Sequence, residues 1–245
     1  DRDSYYGPGN DPLKAYGKTT DLTAMGGAQY VHTFDKCFFM PSDLTAGLEY
    51  NRDRLKDNMW GYGRHTDQTV NIYSAFLQNE WKNDRWGILI GGRLDKHNMV
   101  DNVIFSPRAN LRFNPTQNIN LRLSYSSGFR APQAFDEDMH IENVGGTVAM
   151  IERAKNLKEE KSQSFSASAD MYHRFGVFQT NFLIEGFYTR LTDVFVLGEP
   201  YDRGDGILVK TRSNGPGAKV MGLTLEGKVS YLSILNRIYY SFCIT

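Results

Sequence analysis

Between Asn118 and Ser126 the chain alternates without a break. Ile119, Leu121, Leu123 and Tyr125 fall on one side of an extended strand, and Asn118, Asn120, Arg122, Ser124 and Ser126 on the other. Strand side chains switch faces with period 2, so the segment is a two-faced ribbon. Its polar face carries Asn and Arg rather than a scatter of Thr and Ser. The pattern recurs along most of the chain in segments of about ten residues, the length and alternation of a strand that crosses an outer membrane in a barrel.

Composition agrees. Hydrophobic residues make up 40% of the 245, low for a domain with a dry core but enough for a barrel with a polar lumen, where only every second strand residue is apolar. Tyr 14, Phe 15 and Trp 3 supply rings of the kind that collect at membrane interfaces, although aromatic residues also favour strands in general. Charge balances at 28 against 28, so no net field points to nucleic acid. No apolar run approaches the roughly 18 residues of a transmembrane helix. Cys37 and Cys243 stand far apart and form no metal or redox motif. They could bridge or remain free thiols.

Read along the chain, residues 1–23 form a loop and a weak strand follows near 24–35. Further strands alternate through 44–51, 69–81, 85–95, 103–113, 118–126, 164–171, 182–189 and 223–231, roughly ten in all. Ile72, Phe76, Leu183 and Phe187 break the alternation. Residues 147–157 carry a weak helix signal. Connections near 82–85, 114–117 and 174–177 are short, whereas those near 52–68, 131–160 and 198–206 are long. Up-and-down outer-membrane barrels have short periplasmic turns and longer outer loops, which puts the three long segments outside. The expected fold is all-β, an antiparallel up-and-down transmembrane β-barrel of which residues 1–245 supply one partial domain.

Four segments then carry a resemblance. They are Gly128-Phe129-Arg130-Ala131-Pro132, Asn156-Leu157-Lys158-Glu159-Glu160-Lys161-Ser162, Glu185-Gly186-Phe187-Tyr188-Thr189-Arg190-Leu191-Thr192-Asp193-Val194-Phe195, and Asn214-Gly215 followed by Gly222-Leu223-Thr224-Leu225-Glu226-Gly227. In this order they resemble the C-terminal part of the barrel of a TonB-dependent outer-membrane receptor. Glu159 stands where that family usually has Pro. The resemblance implies a 22-stranded barrel closed by a plug, of which about half is expected here, with no plug and no TonB-box segment. It also implies active uptake of a scarce ligand across a bacterial outer membrane, most often an iron–siderophore complex, otherwise haem or cobalamin. The implied partners are the TonB complex acting through the missing plug, outer-membrane lipid, and a small ligand such as a metal chelate. No cofactor is expected.

Candidate ligand-binding residues lie in the outer loops. Trp60, Tyr62, Arg64 and His65 combine aromatic rings with cations, a pattern suited to stacking on a ligand. A loop folding on itself explains them as well. Arg130 ends an ascending strand. Asp136, Asp138 and His140 lie in an acidic run, Asp136–Glu142, that could meet a cation, though charge runs are more often simply solvated. Arg85, Arg93, Arg108, Arg112 and Arg122 recur on polar faces. They are expected to form a ladder with Glu80, Asp95 and plug carboxylates, rather than to draw in an anion.

Enzyme motifs are missing: there is no His-Glu-x-x-His, no Gly-x-Ser-x-Gly and no phosphate loop, so catalysis is not expected. Two other readings remain open at this level. One is a soluble β-sandwich or lectin-like binding module, whose alternation would reflect one buried face. The other is a passive porin-like barrel.

Overall fold

The computed structural model describes residues 1–5, 16–60, 63–134, 142–144, 147–204 and 206–231. Ten strands form one antiparallel sheet: β1 (Arg2–Tyr5), β2 (Tyr16–Cys37), β3 (Met40–Met59), β4 (Arg64–Lys82), β5 (Trp86–His97), β6 (Ile104–Thr116), β7 (Ile119–Arg130), β10 (Glu160–Phe175), β11 (Phe178–Thr192) and β15 (Ala218–Tyr231). They pair in chain order except that β7 pairs with β10 and β11 with β15. The segments that leave the wall between those pairs form a second sheet. It contains β8 (Glu142–Val144), β9 (Thr147–Arg153), β12 (Phe195–Leu197), β13 (Tyr201–Asp202) and β14 (Leu208–Asn214), ordered β12-β14-β9-β8 with β13 on β14. No α-helix occurs among the described residues.

The register keeps each face consistent across the wall. One row runs Ala109–Tyr125–Phe165–Tyr188–Met221, and the next runs Leu111–Leu123–Ala167–Gly186–Leu223. This face is exposed: Leu48 is 66% accessible, Leu77 55% and Ile90 56%. So large an apolar surface is unstable in water, and a lipid bilayer is the solvent that suits it. Aromatic rings mark its two edges. Phe39, Trp81, Trp86 and Phe113 lie beside the short turns, with Phe39 stacked on Trp81 and Trp86 on Phe113. Tyr50 against Tyr73 and Tyr125 against Phe165 mark the other edge. From Trp81 to Tyr73 the strand covers about 26 Å at roughly 3.3 Å per residue, comparable to the roughly 25 Å apolar band of an outer-membrane barrel.

Several strands run well beyond that band, and here expectation and structure part. The segment 52–68, expected as a loop, is a hairpin arm in which Arg52–Met59 pair with Arg64–Asn71. Charge did not prevent pairing because opposite charges meet across the strands: Arg54 and Lys56 both lie near Asp67, at 3.8 and 3.5 Å. Residues 16–23, also expected in a loop, belong to the 22-residue β2, and residues 2–5 form β1. The helix signal at 147–157 gives way to β9, because β14 offers it a parallel partner, with Met150 opposite Val209. The long connections 131–160 and 198–206 therefore contain strands.

Ile72, Phe76, Leu183 and Phe187, which break the alternation, stay in register and face the polar side. The tip of the Phe76 ring occupies the place where a Cβ on Gly47 would stand, so an apolar ring fills the space that a missing side chain leaves. The small buried core sits at the outer end, where Val100, Ile104 and Ala131 cluster with Phe129 packed against them.

Candidate functional site

The outer arm of β3 and β4 turns its inward face toward the loops, and there burial begins. Leu55, Met59 and Val70 are buried on that face. Asp57 is buried with them and its charge is matched: Arg64 donates from Nε at 3.0 Å and from Nη2 at 2.8 Å, and the Thr19 hydroxyl donates at 2.7 Å. A buried carboxylate is tolerable only with such partners.

Connection 131–134 and β9 close over this arm. Arg153 donates to the Gln68 side-chain oxygen at 2.7 Å and to the Pro132 carbonyl at 3.0 Å. The Ala134 amide donates to the same Gln68 oxygen at 2.9 Å. His97 is fully buried beneath. Its Nδ1 accepts the Met99 amide at 3.0 Å, which leaves the proton on Nε2, facing Gln133 Oε1 at 3.3 Å. Burial pushes the His97 pKa down, against the opposing pull of Gln133 and Asp95. The imidazole is neutral at pH 7.

These closures enclose a cleft of about 360 Å³ at the mouth of the wall. Arg64, Arg153, Arg203, His65 and Glu152 line it together with Met150. Arg203 and Glu152 approach to 4.0 Å. Cations outnumber carboxylates here, which favours an anionic or electron-rich guest.

The predicted residues separate. Trp60 stacks on Tyr16, with centroids 5.5 Å apart and planes at 5°. Arg64 faces inward to Asp57, while His65, its neighbour on a strand, bonds Asn58 on the opposite face at 3.1 Å. Arg130 stands 5.7 Å from the Phe195 ring centroid. Tyr62, Asp136, Asp138 and His140 lie outside the described residues. Sequence reasoning missed Gln68, Arg153 and Arg203, which belong to different segments and meet only in three dimensions. Among the described residues no three His, Cys, Asp or Glu side chains converge as a metal site. Cys37 is a free cysteine, and Cys243 lies outside the described residues.

Lower on the polar face, Arg93 joins Glu49 at 2.5 Å, Asp95 at 2.8 Å and the Ser74 hydroxyl at 2.7 Å. Of the five arginines expected to form a ladder, only Arg93 makes ion pairs among the described residues; it keeps Asp95, takes Glu49 in place of Glu80, and forms a local cluster, while Arg112 stands opposite Arg122 rather than an acid. The members of that cluster come from three neighbouring strands, so it ties the wall together within its polar interior.

A family model described as "TonB dependent receptor-like, beta-barrel" matches residues 1–242. Among solved structures, the siderophore receptor PirA from Pseudomonas aeruginosa superposes with a TM-score of 0.68 at 15% identity, covering 88% of this chain and 44% of that one. A mutant ferric enterobactin receptor, PfeA, from Pseudomonas aeruginosa in complex with enterobactin gives 0.68 at 18% identity, covering 96% and 38%. The iron transporter FrpB from Neisseria meningitidis gives 0.63 at 16%, covering 89% and 35%. The chain spans less than half the length of these proteins, and at such identities the likeness speaks for the fold. A comparison with curated protein sequences gives no significant match.

Proposed function

This chain belongs to the TonB-dependent receptor-like β-barrel family of the Gram-negative outer membrane, and on that premise we propose that the protein whose wall it builds imports an iron–siderophore complex. The observation that carries the proposal is the family match over residues 1–242. The names of the structural neighbours, two siderophore receptors and an iron transporter, favour iron over haem or cobalamin. The cationic cleft at the mouth, with Arg64, Arg153 and Arg203 on its rim, suits a chelate rich in oxygen donors. TonB, acting through a plug, is the proposed source of energy. We assign initial ligand contact to the outer-end residues Trp60, Tyr62, Arg64, His65, Arg130, Asp136, Asp138 and His140. The exposed Trp60 ring, half accessible on its Tyr16 partner, is the first candidate for stacking on an aromatic chelator.

The test is radiolabelled iron uptake under iron limitation, in cells with and without the parent gene and with and without a proton-motive-force uncoupler. Uptake of a ferric siderophore that needs both the gene and the energised membrane is the expected result. Gene-dependent uptake of haem or cobalamin with no siderophore effect would replace the ligand. Passive, uncoupler-insensitive permeation would point instead to a porin-like barrel.

A further inference from the structure

The four sequence segments that carry the resemblance to a receptor barrel meet at one place in the structure. β7 ends at Arg130, and the long loop that follows returns to the wall as β10 at Glu160. β11 ends at Thr192, and a second long loop returns as β15 at Ala218. These exits and returns are neighbours, because β10 pairs with β7 and β11, and β11 with β15. Asn214, the last residue of β14, ties them together. Its side-chain oxygen accepts the Lys158 amide at 2.8 Å. Its amide group donates to the Lys158 carbonyl at 3.1 Å and to the Asp193 carbonyl at 2.7 Å. A primary amide carries one acceptor and two donors, and here all three functions are used. Asp193 turns the chain off β11 with φ of 54°. The Gly215 amide donates to the Val194 carbonyl at 2.7 Å, and Glu160 Oε2 accepts the Phe195 amide at 2.9 Å. Arg130, the cross-strand partner of Glu160, stands over the Phe195 ring.

Beyond this knot the two loops share one sheet. Leu208–Arg212 of the second loop pair with Ala149–Arg153 of the first, and the Ala154 amide extends the ladder to the Arg212 carbonyl at 2.9 Å. Met150 and Val209 face each other across the seam, and both are buried. The cleft at the mouth is divided between the same loops. Glu152 and Arg153 come from the first and Arg203 from the second. Its shape therefore depends on how the loops stand relative to each other.

We infer that Asn214 is a positioning residue. It is the hub of a collar, completed by Glu160, that makes the two long outer loops a single body and so sets Arg153 and Arg203 across one cleft. Loops that are free of each other lose conformational entropy when they order around a guest, and loops already joined lose less. The collar thus contributes to affinity without touching the guest. The coupling of the loops follows from their hydrogen bonds. The use of the cleft for a ferric siderophore rests on the proposed function.

The experiment is hydrogen exchange, read by mass spectrometry on the detergent-purified parent receptor without added ligand. It is paired with cellular uptake of radiolabelled iron presented as a tris-catecholate and as a tris-hydroxamate chelate. Asn214→Ala should speed exchange at residues 150–153 and 208–212 together by roughly tenfold, the factor that loss of one to two net hydrogen bonds implies. Wall residues 164–171 should keep wild-type rates. In cells the same variant should raise KM for the imported chelate by roughly tenfold and leave the maximal rate unchanged, because the contacts are lost in binding and not in translocation. Glu160→Ala should loosen both loops. Glu160→Gln, which keeps an acceptor for the Phe195 amide, should exchange like wild type. Faster exchange at 208–212 alone, or at neither loop, would overturn the coupling. Loosening that reaches 164–171 would overturn it as well, by showing a general loss of stability. Loosened loops with an unchanged KM would overturn the positioning role. If wild type imports neither chelate, the proposed function fails, and exchange alone decides the collar.

Discussion

Asp57 lies buried beneath the outer arm, with Arg64 as its cationic partner and the Thr19 hydroxyl as a further donor. Removing the cation strands a buried carboxylate, so Arg64→Met should destabilise the parent receptor by about 3 kcal/mol. Urea unfolding in lipid vesicles measures it, and pairing the change with Asp57→Asn should restore much of the loss. Two other inward-facing groups titrate with opposite signs. Burial and the neighbouring Asp21 raise the Asp53 pKa to about 6. Between about pH 4 and 6 the folded chain holds a proton that the unfolded chain has released, so this contribution is lost as pH rises through that window. Asp53→Asn should therefore stabilise at pH 7 and confer no advantage near pH 4. Burial lowers the His97 pKa, so its contribution is complete above the unfolded value of about 6.5 and is lost as pH falls. Hydrogen exchange at the Met99 amide, which His97 accepts, should speed up on acidification after correction for intrinsic rates. At this scale the sequence shows residue types but not their company. Trp60, Arg64 and His65 read as one cluster, yet neighbours on a strand face opposite ways, so Arg64 met Asp57 and His65 met Asn58.

The strands show where glycine is required and where it is incidental. A Cβ on Gly91 would stand 2.5 Å from Gln78 Cβ and 2.9 Å from the Leu77 carbonyl oxygen, so β4 and β5 would have to part. Gly91→Ala should cost about 1–3 kcal/mol by overpacking. Gly26 on β2 has open space around its Cβ position, and Gly26→Ala should be neutral or stabilising by up to about 1 kcal/mol. Thermal unfolding of the two variants in the same detergent compares them directly. Alternation made most wall strands legible, including which face each would show to lipid. Element ends were less legible. The turn at Phe38, with φ of 62°, contains neither Gly nor Asn to announce it. Stacking of Phe39 on Trp81, and the Trp81 indole N–H donating to the Cys37 carbonyl at 3.0 Å, hold it in place. The charged arm 52–68 and the helix-like 147–157 became strands because partners were available, and partner strands are not written in local sequence.

As a whole, the described wall ends in two strands, β1 and β15, that do not pair with each other. Open edges and an apolar outer face make such a sheet prone to associate. Residues 1–245 expressed alone should therefore aggregate or need detergent, and should lack the heat-resistant migration of a closed barrel. A stable, water-soluble monomer would count against the membrane reading. By itself, the sequence determined the two-faced strand, the face meant for lipid and the resemblance to a receptor barrel. Each of these is local or periodic, and period 2 needs no knowledge of what lies across the sheet. Only tertiary structure decided that Leu208–Arg212 would run parallel to Ala149–Arg153, that Gln68 would receive both Arg153 and the Ala134 amide, and that Arg190 would face Lys219 across neighbouring strands. Those meetings depend on register between distant segments, and register is set by the whole set of pairings at once rather than by any segment alone.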